Sequence, residues 1–347
     1  MNGEKLVLRY PHESPPEVGK AIQIADRIFW IRVPLPMVLD HVNCYALDDG
    51  EGWTIVDTGF DSKEIRAIWK TLLDGPLSGK PVHRLIVTHH HPDHIGLAGW
   101  FQTEHGAELV ITRTAWLTAR MFALDKHLAP TNETLSHWRS AGMDAQIYAT
   151  RSAERPFNFS DVVTALPLGF RRIKEGDNVS AAGRNWQVRI GNGHAPEHAT
   201  LWSDDGEVVI GGDQLLPSIS PNIGVYATEP EADPVADWLE SCERLIPFST
   251  DKQLVLPGHK LPFTGLPVRL HQLIDNHHGG LKRLLAHLSE PKTAAECFTP
   301  LFKRKIDEKV YGLALVEAMA HLNHLHQQDV ISRSPRDDGA WLFQRKG

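Results

Sequence analysis

The sequence is poor in cysteine and in long apolar runs, and each shortage excludes a class of protein. Its three cysteines, Cys44, Cys242 and Cys297, stand far apart among 347 residues and form no Cys-x-x-Cys pair. The sequence therefore predicts neither a disulfide framework nor a thiolate-bound zinc, and a reducing cytoplasm is the expected location. No apolar run reaches the roughly 18 residues of a membrane span, and the N-terminus does not resemble a secretory signal. We expect no membrane partner.

Basic charge is not in excess either, which argues against a general nucleic-acid binder. The 36 Lys and Arg residues face 43 Asp and Glu residues, so the formal net charge is −7. Nucleic-acid binders usually carry a basic face, and nucleic acid is therefore not the expected partner. Histidine is unusually frequent, with 20 copies. It is the commonest metal ligand and a proton carrier near neutral pH.

Residue periodicity divides the chain into a strand-rich part and a helical tail. Short β-rich runs include RIFWIRVPL, NCYAL, GWTIVDTG, AELVIT, NWQVRI and QLVLPGH. A helix is predicted from Asp61 to Leu73, with Asp61 as its cap. A helical segment of about residues 113–150 is interpreted as an insertion that covers a site. We predict a catalytic domain of residues 1–265 and a C-terminal domain of residues 266–347, whose three helices and hairpin are the elements of a winged helix.

The motif THHHPDHIG concentrates metal-ligating side chains directly after the apolar run LIV. Read from its first histidine, it contains His89, His91, Asp93 and His94. Two histidines two residues apart at a strand end can turn to one side and hold one metal, while the Asp-His pair faces a second. A register starting at His90 would put a proline at a ligand position, so His90 is predicted not to bind. Four such groups packed together without metal would be costly to desolvate.

Three later ligand-type residues each follow a predicted strand. His194 follows NWQVRI, Asp213 follows VVIGG, and His259 follows QLVL. Strand ends are where α/β proteins collect their functional residues, so we expect these three to join the first four. The prediction depends on their joint occurrence with the first motif.

At these residues the sequence resembles the metallo-β-lactamase superfamily, whose fold is shared with glyoxalase II-type thioesterases, over roughly residues 19–265. The resemblance implies an α+β fold, an αββα sandwich, followed here by the winged-helix-like domain. It implies that one metal is held by His89, His91 and His194, that a second is held by Asp93, His94 and His259, and that Asp213 bridges them. Asp57 in IVDTG would orient these ligands from behind. Ligands without thiolate suit zinc, iron or manganese, and two divalent ions, by default Zn²⁺, are the expected cofactors.

A narrower resemblance covers the segment from Gly211 to Leu245, the LPGH turn and the tail. These parts resemble the lactamase-beta-2-like hydrolases, in which a winged helix follows the β-lactamase-like domain. GHAPEHATLW fits the same subgroup and places Glu197 and His198 near the metals, with His198 as a candidate catalytic or orienting group. Tyr226 is a candidate for contacting the substrate oxygen.

The predicted reaction is hydrolysis of a thioester or other carboxylic ester of a small acyl substrate. Two metals about 3.5–4 Å apart can share a water and lower its pKa to roughly 7, which makes a bridging hydroxide the nucleophile. Asp93 is the candidate to orient that nucleophile and carry its proton onward. No Gly-x-Ser-x-Gly elbow competes with this mechanism.

Three alternatives stay open. The same metals would serve an endoribonuclease or other phosphodiesterase, with nucleic acid meeting the basic residues Lys303, Arg304, Lys305 and Arg333 of the tail. A mononuclear iron dioxygenase acting on persulfides would need two histidines and one aspartate. A non-catalytic regulator would join an inactive hydrolase domain to a DNA-binding winged helix, and the complete ligand set counts against it. The helical tail is also compatible with a homodimer.

Overall fold

The computed structural model describes residues 7–347, which form two compact units. The first comprises the chain up to Lys126 together with Asn158–Pro221 and Ile246–Leu270, and the second comprises His127–Phe157, Asn222–Leu245 and His271–Gly347. Neither unit is continuous in sequence. They therefore do not coincide with the segments 1–265 and 266–347, and that division stays a prediction. None of the helices in residues 7–347 combines the length and apolarity needed to cross a bilayer.

The first unit is a sandwich of two β-sheets, each with its strands side by side in chain order. The seven-stranded sheet contains β1 (Ala21–Ala25), β2 (Ile28–Pro34), β3 (His41–Asp48), β4 (Trp53–Val56), β5 (Val82–Ile86), β6 (Glu108–Thr112) and β7 (Arg171–Ile173). The five-stranded sheet contains β8 (Asn178–Ala181), β9 (Arg184–Gly191), β10 (His198–Ser203), β11 (Val208–Gly212) and β12 (Leu254–Pro257). Neighbours from β4 to β7 are parallel, as are β11 and β12. The predicted α+β sandwich is confirmed.

Alternating strand residues build the core between the two sheets. Ile28 and Trp30 of β2 have no exposed surface, and they join Tyr45 and Leu47 of β3 in one cluster with Trp186 of β9. This two-residue spacing puts successive side chains on opposite faces of the sheet. Each buried aromatic side chain removes about 150–250 Å² from water, so the core strongly stabilises the sandwich. It also fixes the strand ends from which the polar loops emerge.

The helices of the first unit are α1 (Lys63–Asp74), α2 (Pro92–Ile95), α3 (Ala98–Glu104) and α4 (Arg113–Leu124). Helix α1 packs through the buried Trp69 into a second core cluster that it shares with the seven-stranded sheet. The predicted cap of this helix is wrong, because Ser62 Oγ accepts the hydrogen bond from Ile65 N at 3.1 Å. The carboxylate of Asp61 is instead bound by Arg66, at 2.7 and 3.0 Å.

Most helices of the C-terminal half belong to the second unit. The remaining α-helices are α5 (Asn132–Ser140), α6 (Ala145–Ala153), α7 (Pro234–Leu245), α8 (Leu266–His287), α9 (Phe298–Phe302) and α10 (Tyr311–Gln327), and the strands β13 (Ile331–Pro335) and β14 (Trp341–Arg345) form a hairpin. Earlier segments are tied to this tail: Asp144 N donates to Tyr311 Oη at 2.9 Å, and Asn323 Nδ2 donates to Pro230 O at 2.9 Å. The second half of the predicted insertion therefore packs with the tail. The three helices and the hairpin are present, while their winged-helix arrangement stays a prediction.

Candidate metal centre

Seven histidine and aspartate side chains, four from one short motif and three from distant segments, converge in the first unit. They follow β5, β9, β11 and β12, and two of them lie in α2. Their ligand atoms form three overlapping groups, within each of which all atoms lie within 4.8 Å of one another: His89, His91 and His194; Asp93, His94 and His259; and His89, His94 and Asp213. The first two groups are the two ligand sets that the family resemblance implies. No further group of this kind occurs in residues 7–347.

Asp213 lies where the two sets meet. Its Oδ1 is 3.4 Å from His94 Nε2, and its Oδ2 is 3.4 Å from the Nε2 atoms of both His194 and His259. Asp93 contacts the two histidines of its own set, with Oδ2 3.3 Å from His259 Nε2 and 3.7 Å from His94 Nε2. One carboxylate that faces histidines of both sets is suited to bridge two cations.

Two histidines of the second set are held from behind by hydrogen bonds on their other ring nitrogen. His94 Nδ1 lies 2.8 Å from Asp57 Oδ2, and His259 Nδ1 lies 2.7 Å from the main-chain oxygen of His41. Since a carbonyl oxygen only accepts, His259 Nδ1 carries a proton, and Nε2 is the ring nitrogen that faces the aspartates and becomes a metal donor once it is deprotonated. Such outer contacts fix the tautomer and ring orientation of metal-ligating histidines.

Asp57 connects this outer layer to both sets. Its Oδ1 accepts from Thr88 N and its Oδ2 from Thr88 Oγ1, each at 2.8 Å, and Thr88 Oγ1 lies 3.0 Å from His89 Nδ1. Asp57 is buried and has a left-handed backbone with φ of 59°, which is uncommon outside glycine and tends to mark functional sites. Sequence reasoning missed Thr88 and the His41 carbonyl. The only signal for Thr88 is its place as the first residue of the motif, directly before His89.

Gly258, directly before His259, has no side chain, and the Asp213 and His94 side chains occupy the space where one would lie. A Cβ at this position would collide with Asp213 Oδ1 and would lie 2.8 Å from His94 Cε1. Only glycine lets the chain pass this close to the two side chains. The glycine of the LPGH turn is therefore part of the site's construction.

Electrostatics within the cluster favour ionised carboxylates. Burial disfavours every charged form, but Asp213 and Asp93 outweigh it and raise the pKa of His259 to about 10. The same two carboxylates, with Asp57, raise the pKa of His94 well above its ordinary value. The histidines in turn hold the pKa values of Asp93 and Asp213 below the usual range, against burial. The metal-free cluster thus takes up protons where cations would otherwise bind.

Two buried atoms at the centre test whether these residues fit metal ions. His94 Nε2 and Asp213 Oδ1 have no hydrogen-bond partner among the described residues, although they lie only 3.4 Å apart. Buried polar atoms are rarely left unsatisfied, because desolvation without a partner is costly. A divalent cation would be the common partner of both lone pairs. Imidazole and carboxylate donors without thiolate suit zinc, iron or manganese, so the residues fit such ions.

His198 supports the cluster from outside, while the neighbouring Glu197 contacts the start of α4. His198 is completely buried, accepts a hydrogen bond from Asp213 N at its Nε2 at 3.1 Å, and stacks on the His89 ring at 4.5 Å. Burial lowers the pKa of His198 to about 3, so its ring is neutral at physiological pH. Glu197 Oε2 accepts from Thr114 N at 2.6 Å, at the start of α4. This placement favours a positioning role for His198, whose catalytic role stays a prediction.

His90 and Tyr226 lie outside the three ligand groups. His90, predicted not to bind, is buried, with its ring centroid 6.0 Å from that of Phe122 of α4. Tyr226 belongs to the second unit, where its side chain is half-exposed. Its contact with a substrate stays a prediction, as does the catalytic role of Asp93.

We expect Asp57→Asn to weaken metal binding and hydrolysis by about 10–100-fold, the usual effect of losing such an outer partner. An amide nitrogen facing His94 Nδ1 would favour the tautomer that carries the proton on Nε2, on the side of the aspartates. Metal titration of the purified variant measures the change. Asp204→Asn, a matched change at an exposed position, should leave affinity unaltered. Equal affinities for the Asp57 variant and the parent protein would contradict the outer role.

Comparison with known proteins agrees with the geometry. A sequence profile described as the metallo-beta-lactamase superfamily matches residues 37–259, and one described as metallo-beta-lactamase-like, C-terminal domain, matches residues 281–346. The crystal structure of a beta-lactamase domain protein from Burkholderia ambifaria is 36% identical, with a TM-score of 0.89 and coverage of 98% of both chains. The metallo-beta-lactamase family protein TTHA1429 from Thermus thermophilus is 26% identical, with a TM-score of 0.76 and coverage of 93% of this chain and 100% of that one.

A relative from Bacillus subtilis (strain 168) is described as "Probable metallo-hydrolase YqjP". It is 25% identical to this chain over 318 residues, which cover 88% of this chain and 94% of the relative. The similarity to all three proteins therefore extends over both units of the structure.

Proposed function

The chain belongs to the metallo-β-lactamase superfamily, and on that basis we propose that it is a hydrolase with two divalent metal ions, by preference zinc, that cleaves a thioester or other carboxylic ester. The observation that carries the proposal is the contact of Asp213 with histidines of both ligand sets, at 3.4 Å each. A carboxylate that faces both histidine sets at once is suited to two neighbouring cations.

The proposed ligands of one ion are His89, His91 and His194, and those of the other are Asp93, His94 and His259, with Asp213 shared. Ions bound there would supply Lewis acidity toward a substrate carbonyl and would lower the pKa of a bound water to roughly 7. Asp57 and the His41 carbonyl orient the histidine rings. Asp93 is the more exposed carboxylate, with 16% of its side chain accessible against 8% for Asp213. Its Oδ2 is therefore the proposed acceptor of the proton from the attacking water.

Two features support an acyl substrate. Helix α4 approaches the ligand loop through the apolar ring of Phe122, which is only partly buried. Such a surface suits an apolar acyl group better than a polyanion, and the net charge of −7 points the same way. The resemblance to glyoxalase II-type and lactamase-beta-2-like hydrolases favours a thioester.

The test is metal analysis of protein purified without added metal, together with a panel of substrates. The panel comprises acyl-CoA and acyl-glutathione thioesters, simple carboxylic esters and single-stranded RNA, with oxygen uptake recorded on glutathione persulfide. We expect close to two zinc ions per chain and thioester turnover. Two ions with cleaved RNA and intact thioesters would overturn the substrate class. About one iron per chain with oxygen uptake would overturn the hydrolytic mechanism.

A further inference from the structure

Glu317 in α10 of the second unit is an acidic side chain without a counter-ion. Its Oε2 accepts a hydrogen bond from Asn222 Nδ2 at 2.7 Å. No Lys, Arg or His side chain of residues 7–347 forms an ion pair with its carboxylate. A largely buried carboxylate usually has a cationic partner, because removing an unpaired charge from water costs several kcal/mol of free energy. Glu317 is therefore an unusual carboxylate, with a hydrogen bond from Asn222 and no ion pair among the described residues.

The surroundings of Glu317 are apolar, yet they are open to solvent. Asn222 Nδ2 also donates to Leu313 O at 3.1 Å, and Leu313 lies one helical turn before Glu317 on the same face of α10. Half of the Leu313 surface and half of the Tyr226 surface are exposed, at 52% and 51%. Glu317 itself is partly exposed. A small molecule can therefore reach this carboxylate beside two apolar side chains.

The backbone at Gly224 holds the aromatic ring of this site in place. A Cβ on Gly224 would lie 2.8 Å from Val316 Cγ2 and 3.0 Å from Tyr226 Cε2, so both side chains lie directly against the glycine. Val225 N donates to Val316 O at 3.0 Å, which fastens the segment to α10. The Tyr226 ring is thus fixed close to the helix turn that carries Glu317. Carboxylates and aromatic faces both attract organic cations.

We propose that Glu317, Asn222 and Tyr226 form a binding site for the ammonium group of a small organic cation, a function that goes beyond the proposed hydrolysis. The carboxylate supplies the opposite charge, the Tyr226 ring a cation–π contact, and Leu313 an apolar surface for the alkyl part.

The charge state of the site agrees with this assignment. Burial raises the pKa of Glu317 to about 7, against the hydrogen bond from Asn222 and the charge of Arg304. Partial burial and the charge of Glu317 also raise the pKa of Tyr226, although half of the Tyr226 surface is exposed. The nearby His321, whose Nδ1 contacts the Glu317 main-chain oxygen, has a pKa of about 4 and is neutral above pH 6. Between pH 6 and 8 the main change at the site is therefore the ionisation of Glu317.

The test is calorimetric titration of the full-length protein with n-butylammonium chloride, using 1-butanol as the neutral probe of similar shape. Only ionised Glu317 attracts the cation, so a pKa of about 7 predicts affinity about tenfold weaker at pH 6 than at pH 8. Glu317→Gln keeps the size and the contact with Asn222 but removes the charge, and we expect it to abolish saturable binding. Glu290→Gln, the same change at an exposed position, should bind like the parent protein.

Two results would overturn the assignment. They are the absence of saturable butylammonium binding to the parent protein at pH 8, and equal binding by Glu317→Gln. In either case Glu317 is a protonated packing residue. Butanol binding as tightly as butylammonium would show an apolar site instead. The titration does not depend on turnover, so failure here leaves the hydrolase proposal intact, and failure of the hydrolase assays leaves this proposal intact.

Discussion

Asp213→Ala should abolish hydrolysis, with a loss on the order of 10³-fold or more, and should reduce bound metal from two ions to at most one per chain. The expected loss corresponds to about 4 kcal/mol of transition-state stabilisation. A metal ion that is lost or displaced removes several kcal/mol of charge stabilisation, which is of the same size. The physical reason is position, because Asp213 is the carboxylate that lies within 3.4 Å of His94, His194 and His259. Metal analysis and turnover on the best substrate of the panel measure both effects.

A matched control separates the site from the fold. Asp204→Ala removes an aspartate of the same unit from an exposed position and should leave metal content and turnover unchanged. Circular dichroism should show that the Asp213 variant keeps its secondary structure, since the sandwich core does not include this residue. A folded Asp213 variant that retains two metals and full turnover would refute the bridging role.

Removal of the metals should have the second-largest effect, with complete loss of turnover and a lower melting temperature. A ligand present at 100 times its dissociation constant stabilises the folded state by about 2.7 kcal/mol, which for a chain of this size corresponds to several degrees. Dialysis against a chelator followed by calorimetry measures the shift, and added zinc should restore both properties. Metal analysis must first show that no ion is bound. Full activity of that metal-free protein would exclude a metal-dependent reaction.

The same experiment carries a pH dependence with a defined sign. In the metal-free fold the pKa of His259 is raised to about 10, so its ring is protonated at neutral pH. This raised pKa stabilises the metal-free fold at pH values below about 6.5, and the contribution is lost as the pH rises through about 10. Metal must displace the proton, so binding should release protons and weaken as the pH falls. Calorimetry in buffers of different ionisation enthalpy counts the protons, and a count of zero would contradict the expectation.

Local patterns along the chain were sufficient to predict many elements of the fold and most of the candidate ligands. Apolar runs with a two-residue period marked most strands, and the last three helices and the hairpin followed from spacing alone. The motif from His89 to His94 was readable because its four ligand residues lie within six positions. His194, Asp213 and His259 were identified by their places after strands and by a family resemblance.

Which atoms meet could be learned only from the folded chain. The contact of Asp213 with His94 and the hydrogen bond between His259 and His41, residues 218 positions apart, join distant parts of the sequence. Packing of the two sheets brings such groups together, and no local spacing encodes those distances.

The same holds for two smaller features. At the start of α1, the pairing of Asp61 with Arg66 left Ser62 to accept the capping hydrogen bond. Glu317 has its hydrogen-bond partner in a segment 95 residues earlier in the chain. Local sequence determines which side chains can do chemistry, and long-range packing determines which of them share a site, because burial and contact depend on the whole chain.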